Sequence, residues 1–237
     1  MAKIDAGKYG YCNSGNETNF TTARQTGTSA TNQPVSSNTK VAEFFTNAGK
    51  GARTWRFFRF FCAFDTSSYS SGYTISNLTF NWRNTASTTC SPTICFPTFI
   101  VVKSTAQGDA DDNLSTSDFY SSVDFSTAYS SNTNLSTSAG DSSITLNATA
   151  VTAFLTGLLK IVVVQYTNDY SNYAGTADKT TRMYANFATG SSGYVPYIEF
   201  TATVIPGYGN DIIGIDSGDI EKVIQIETAD IDTVIGV

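Results

Sequence analysis

The chain has 237 residues, with 14 Lys and Arg against 20 Asp and Glu and no histidine. Most catalytic triads, neutral-pH acid–base steps and zinc or copper sites rely on imidazole, so its absence removes most of that chemistry. A formal charge of −6 and an isoelectric point near 4.5 argue against a binder of duplex nucleic acid, which needs a basic surface to neutralise phosphates. The sequence therefore predicts a non-enzymatic structural or binding protein without a cofactor.

Met1 to Lys8 holds no apolar run of the kind a secretory signal carries. The longest apolar stretches, around Phe96 to Val102 and Leu158 to Val164, are about seven residues, where a membrane helix needs about 20. A soluble protein without a membrane partner is expected. The first fifty residues are rich in Gly, Asn, Ser and Thr with isolated apolar groups such as Val41, Phe44 and Phe45, which predicts short strands joined by turns.

Arg53 to Phe64 then places apolar groups on both faces, as a central strand between two layers requires. Asp65 to Gly72 reads as a polar turn. Tyr73 to Trp82 alternates, with Tyr73 and Ile75, and then the offset set Leu78, Phe80 and Trp82, supplying the inward face. Ile94 to Lys103 predicts a strand that Pro92 and Pro97 either push to an edge or start late.

Ser104 to Leu159 contains no Lys or Arg and six aspartates; it reads as a loop-rich excursion with short strands at Phe119 to Phe125 and Ser143 to Leu146. Asn147 to Gly157 predicts the single helix of the chain: Asn147 or Thr149 caps it, Val151, Phe154 and Leu155 share a face, and Gly157 ends it. Ile161 to Tyr166 predicts a buried strand. Met183 to Ala188 and Tyr194 to Val204 complete the set, the latter alternating Tyr197, Glu199, Thr201 and Thr203 against Ile198, Phe200, Ala202 and Val204.

Many short strands, frequent turn signals and one short helix predict an all-β fold, an antiparallel sandwich rather than an α/β protein. The segments Arg59-Phe-Phe-Cys-Ala-Phe-Asp65, Ile75-Ser-Asn-Leu-Thr-Phe80, Val151-Thr-Ala-Phe-Leu-Thr-Gly157 and Tyr194-Val-Pro-Tyr-Ile-Glu-Phe200, in that order, resemble the DNRLRE-type, carbohydrate-binding-module-like jelly roll. Asn77 stands where that family has a small apolar residue. The resemblance spans residues 50–204 and implies a jelly-roll β-sandwich of secreted or viral surface proteins.

The composition changes abruptly after Pro206-Gly-Tyr-Gly-Asn210, and the chain is divided into a body, residues 1–205, and a C-terminal extension, residues 206–237. The body holds 13 acids and 13 bases, while the extension holds seven acids and one base, Lys222, and so carries the whole net charge. Within the extension Ile213-Gly-Ile, Ile224-Gln-Ile and Ile235-Gly-Val recur at intervals of eleven residues. An eleven-residue period suits a right-handed coiled coil, but Gly214, Gly218 and Gly236 and the density of Ile and Val favour short strand or turn units. Its apolar residues, Ile212, Ile213, Ile215, Ile220, Val223, Ile224, Ile226, Ile231, Val234, Ile235 and Val237, cannot bury themselves in so short a segment. They are expected to form an assembly surface against another copy or another protein, in preference to packing on their own body. The repeat resembles C-terminal segments of structural proteins of tailed phages, which implies a decoration, fibre or tail-associated subunit located in a virion.

Other candidate chemistry is weaker. Tyr166, Tyr170, Tyr173, Tyr184, Tyr194 and Tyr197, with Asp169 and Asn172, form a possible sugar platform, with Tyr166, Asp169, Tyr170 and Tyr173 as its centre; tyrosine is also simply a good strand former. A surface glycan partner, and with it a carbohydrate-binding adhesin at a cell surface or filament, is the alternative reading. Asp109-Ala-Asp-Asp-Asn113 clusters oxygen ligands but lacks the glycine and distal glutamate of an EF-hand, so no metal is expected. Arg53, Arg56, Arg59 and Trp55 suggest a basic patch, but alternation splits them between faces and favours arginine stems packed along a sheet. Cys12, Cys62, Cys90 and Cys95 are too irregular for a zinc ribbon; Cys90 and Cys95 flank Pro92 and either bridge or remain thiols.

Overall fold

The computed structural model describes residues 1–33, 39–47, 54–84, 98–107, 113–134, 140–174, 181–187, 194–205, 222–223 and 226–227. In chain order these form β1 (Ala2–Asp5), β2 (Lys8–Asn13), α1 (Phe20–Gln25), β3 (Ser29–Asn32), β4 (Thr39–Asn47), β5 (Thr54–Asp65), β6 (Tyr73–Asn84) and β7 (Thr98–Ser104). There follow α2 (Asp118–Ser121), β8 (Val123–Ala128), β9 (Thr133–Asn134), β10 (Gly140–Thr145), α3 (Ala148–Phe154), β11 (Leu158–Gln165), β12 (Thr181–Phe187) and β13 (Tyr197–Val204). A two-residue ladder, β14 (Lys222–Val223) with β15 (Ile226–Glu227), lies in the C-terminal extension.

All strand pairs are antiparallel. A front sheet runs β1-β13-β6-β10, and a back sheet runs β3-β2-β5-β11-β7-β8. The chain changes sheet between β5 and β6, β6 and β7, β8 and β10, β10 and β11, and β11 and β13. This interleaving of the two four-strand orders β1-β13-β6-β10 and β5-β11-β7-β8 is the double Greek key of a jelly roll, the fold class expected above. At one corner β4 pairs with Thr54 to Phe57 of β5 and with β12, which touches β6 at Asn84, so the two sheets are joined there.

The long strand β5 has partners on both edges and apolar side chains on both faces. Phe60, Cys62 and Phe64 point between the sheets, where they meet Phe99, Val101, Ile161 and Val163 of their own sheet and Phe80, Trp82, Ile198 and Phe200 of the other. Packing is aromatic and edge-on: the Phe154 and Phe200 rings are 4.7 Å apart at 67°, and Trp82 and Phe99 are 5.3 Å apart at 84°.

The offset in β6 has a physical cause. Asn77 adopts φ 53°, and the register slips there, Ser76 facing Thr201 and Thr79 facing Glu199. The extra residue is a β-bulge, which returns Leu78, Phe80 and Trp82 to the side occupied by Ile75. Asn tolerates the left-handed region better than any branched residue.

Helix α3 is capped as expected, the Asn147 side chain accepting from Ala150 N at 3.1 Å, and Gly157 follows with φ 91°. The expectation of one helix is corrected, since α1 and α2 are also present. Asn19 caps α1 through Thr22 N at 3.0 Å. The strand expected from Phe119 begins only at Val123. Asp118 accepts from Ser115 N at 2.7 Å, Ser115 Oγ at 2.9 Å and Ser122 Oγ at 2.7 Å, and these local bonds hold a turn of helix in place of extended chain. Strand β7 is described over Thr98–Ser104; Ile94 to Pro97 of the expected strand lie outside the described residues. Among the described residues no helix is long and apolar enough to cross a membrane.

Ile212, Ile213, Ile215, Ile220, Ile224, Ile231, Val234, Ile235 and Val237 lie outside the described residues, as do Cys90, Cys95 and Asp109 to Asp112. Val223 and Ile226 pair with one another in the β14–β15 ladder. Cys12 and Cys62 are buried free thiols.

Candidate functional site: an arginine cluster outside the back sheet

The outer face of the back sheet is apolar. Phe57, Phe61, Ile100, Val102, Val123, Val162 and Val164 form it, and α1 and α2 cover it with Ala23 and Phe119. The two short helices meet closely because Gly27, just past α1, has no side chain: a Cβ there would lie 2.2 Å from Thr116 O and 2.5 Å from Phe119 Cβ. Cys12 sits in this second core with its thiol 3.4 Å from Ser115 O. Burial pushes that thiol up to about 12, the Asp118 charge adds to the rise and the Arg59 cation opposes it.

Arg59 points from the middle of β5 into this layer and is fully buried. Its Nε and Nη2 donate to Asp169 Oδ2 and Oδ1, each at 2.7 Å, in the two-pronged geometry that a planar guanidinium makes with a carboxylate. Nη1 donates to Phe119 O and Nη2 also to Arg24 O at 2.7 Å. One side chain thus ties α1, α2, β5 and the turn carrying Asp169 together. The guanidinium also lies 4.0 Å from the centre of the Phe119 ring.

Asp169 belongs to a wide turn, Tyr166–Tyr170, that follows β11 directly. Gln165, itself buried, caps it by accepting from Asn168 N and from Asp169 N. Arg24 of α1 supplies a second cation. Its Nε donates to Asp169 O at 2.7 Å and stands 3.5 Å from Asp169 Oδ1, and its guanidinium lies 4.4 Å from the Phe125 ring centre and 5.8 Å from that of Tyr120.

These contacts revise the sugar platform. Asp169 is fully buried and both its oxygens are engaged by Arg59, so it presents nothing to a ligand. Tyr166 and Tyr170 stack on each other at 5.7 Å and 19° and pack against the second core. Tyr173 is 59% exposed. Tyr194 lies elsewhere, over Arg83 of β6 at 4.4 Å. The basic patch is split as alternation required: Arg56 reaches Asn13 and Ser14 and lies over Phe58, while Arg59 is internal.

Comparison with protein-family models and with curated proteins found no match. A second feature is a shallow hollow of about 370 Å³ at the rim of the front sheet. It is lined by Ser131, Thr133, Ser143, Ile144, Thr145, Leu146 and Asn147, and therefore mostly by hydroxyls and one amide. Among the described residues no three Cys, Asp or Glu side chains come together as metal ligands.

Sequence reasoning missed Arg24 altogether and assigned Arg59 to a sheet surface. Arg59 stands in the apolar run from Phe57 to Phe64, where an arginine on a two-sided strand implies a buried acidic partner. The position of that partner, 110 residues on, carries no local mark.

Proposed function

We propose that the chain is a non-enzymatic structural subunit of a virion of the tailed-phage type, a jelly-roll body presented by an assembly segment at its C-terminus. The observation that carries this reading is the partition of charge and apolar residues. A body with no net charge is followed by 32 residues holding the entire −6 and eleven Ile or Val in an eleven-residue repeat. Apolar content of that density is unlike a solvated acidic tail, since disorder goes with low hydrophobicity. Burial of one Ile is worth about 1.5 to 3 kcal/mol, so several together outweigh the cost of ordering a short segment and of association. The jelly roll supports the reading at the level of fold alone, being shared by capsid proteins and lectins.

The test is oligomer mass by light scattering on the eluting full-length chain, wild type against Ile224→Asp combined with Ile235→Asp. The wild type is expected to be oligomeric and the double variant monomeric with an unchanged β-rich circular dichroism spectrum. A monomeric wild type, or a double variant that assembles equally well, removes the segment from assembly. A monomer that binds a glycan would favour an isolated carbohydrate-binding module.

A further inference from the structure

We propose that α1, α2 and the turn Tyr166–Tyr170 form one lid on the back sheet, which lifts as a unit while the sandwich beneath it stays folded. The three pieces belong to different excursions of the chain, after β2, β7 and β11. They meet at Arg59, which donates to Arg24 O of α1, to Phe119 O of α2 and to both carboxylate oxygens of Asp169 in the turn. Arg24 Nε also donates to Asp169 O at 2.7 Å, and α1 and α2 touch where Gly27 has no side chain. Departure of one piece takes away bonds on which the other two rest, so the three open together.

The excursions are pinned at their feet. Around α1, Ser14 N donates to Phe57 O at 3.0 Å and Thr28 N to Asn13 O at 2.8 Å. Around α2, Leu114 N donates to Asn32 Oδ1 at 2.7 Å and Thr105 N to Ser122 O at 2.9 Å. Between these pins the lid rests on the sheet through Ala23, Phe119 and the ion cluster. The cluster adds little to closure, because Arg59 and Asp169 are wholly desolvated when the lid is shut and regain their hydration when it lifts. The main core is held differently, by Phe60, Phe64 and Phe99 of one sheet against Phe80 and Phe200 of the other, all fully buried. The lid is therefore the layer of lower local stability, and its lifting bares the apolar sheet face beneath.

Two buried thiols report on the two layers. Cys12 of β2 faces the lid, its Sγ donating to Ser115 O at 3.4 Å, whereas Cys62 of β5 lies between the sheets. The test exposes the unaltered full chain to N-ethylmaleimide at urea concentrations below the unfolding midpoint and reads the two cysteines separately by peptide mass spectrometry. Cys12 is expected to react at least about a hundredfold faster than Cys62 at low urea, and with the weaker urea dependence, because lifting the lid exposes less surface than unfolding the sandwich. Equal rates with equal slopes overturn the proposal.

Two variants separate lid from core. Ile161 is fully buried in the main core, and Ile161→Val should speed Cys62 by about three- to tenfold while leaving Cys12 unchanged, since that core stays intact when the lid lifts. A matching rise at Cys12 would mean that it reacts only through global unfolding, and overturns the proposal. Asp169→Asn should speed hydrogen exchange at Ala23 N of α1, Ser121 N of α2 and Ser171 N after the turn by one common factor of about a hundred or more. Acceleration confined to Ser171, beside the substitution, overturns the single lid. The thiol rates of the unaltered chain decide even if Asp169→Asn fails to fold.

Discussion

Arg59 and Asp169, 110 positions apart, close a two-pronged ion pair with both side chains fully buried and two contacts of 2.7 Å. The pair sits outside the sandwich proper, between the back sheet and the helices that cover it, so it fixes the cover to the sheet and leaves the main core alone. Removing one partner strands a buried charge. Asp169→Leu or Arg59→Met alone is expected to cost about 3 to 5 kcal/mol in chemical denaturation, whereas the double replacement should recover much of the loss. Additive losses in that cycle would show that the two residues act independently.

The main core makes a simpler demand. Phe60 is fully buried between the sheets beside Tyr9, and Phe60→Ala should cost about 3 to 5 kcal/mol. A denaturation midpoint near that of the wild type would place this side chain outside the core.

Two glycines that each lie between elements, Gly7 and Gly27, should respond differently to the same change. Gly27→Ala drives a Cβ to 2.2 Å from Thr116 O, while a Cβ on Gly7 meets nothing within 4 Å. Thermal melts should show Gly27→Ala losing at least about 1 to 3 kcal/mol and Gly7→Ala within about 0.5 kcal/mol of wild type. A neutral Gly27→Ala would mean that α1 and α2 are free to part.

At Asn77 the bulge asks for a left-handed residue. Asn77→Gly should be tolerated and Asn77→Val should cost about 1 to 2 kcal/mol. Equal melting temperatures for the two would remove backbone conformation as the reason for the offset in β6.

Much of this architecture is legible from local pattern. The two-sided apolar run gives β5, period-two alternation gives β13, and the Asn cap with a closing Gly gives α3, because each is decided within a dozen residues. The second core is a different case. Asp118 folds its neighbourhood into α2 through three side-chain bonds, overriding the strand propensity of Phe119 to Phe125. Asp169 reads as a polar loop residue until Arg59 arrives from another part of the chain. For the same reason the sequence does not mark Asp169 as turned inward from the tyrosines beside it: which of these residues face outward is set by contacts of long sequence separation.

The buried thiols set an alkaline limit. In the unfolded chain a thiol ionises near 8.5, whereas burial raises Cys62 well above its ordinary value and Cys12 to about 12. Folded pKa values above the unfolded ones mean that the stabilisation is complete below about pH 8.5 and is lost as pH rises toward 12. Urea midpoints should therefore be flat from pH 7 to about 8.5 and fall above it, with a shallower fall in Cys12→Ala. An equal slope in that variant would assign the alkaline loss to other groups.

Strand β13 is also the element through which the body is connected to its extension. It is hydrogen-bonded to β1 on one edge and β6 on the other, and the ladder runs on past its end, Ile205 N donating to Gly72 O at 2.9 Å. Tension applied through the extension acts along the strand, and the bonds of an antiparallel ladder lie across it. The ladder is therefore loaded in shear, and its bonds must yield together instead of unzipping in turn. If the body is held through the extension, as proposed, the load falls on a strand that is paired within a sheet, and many ladder bonds share it.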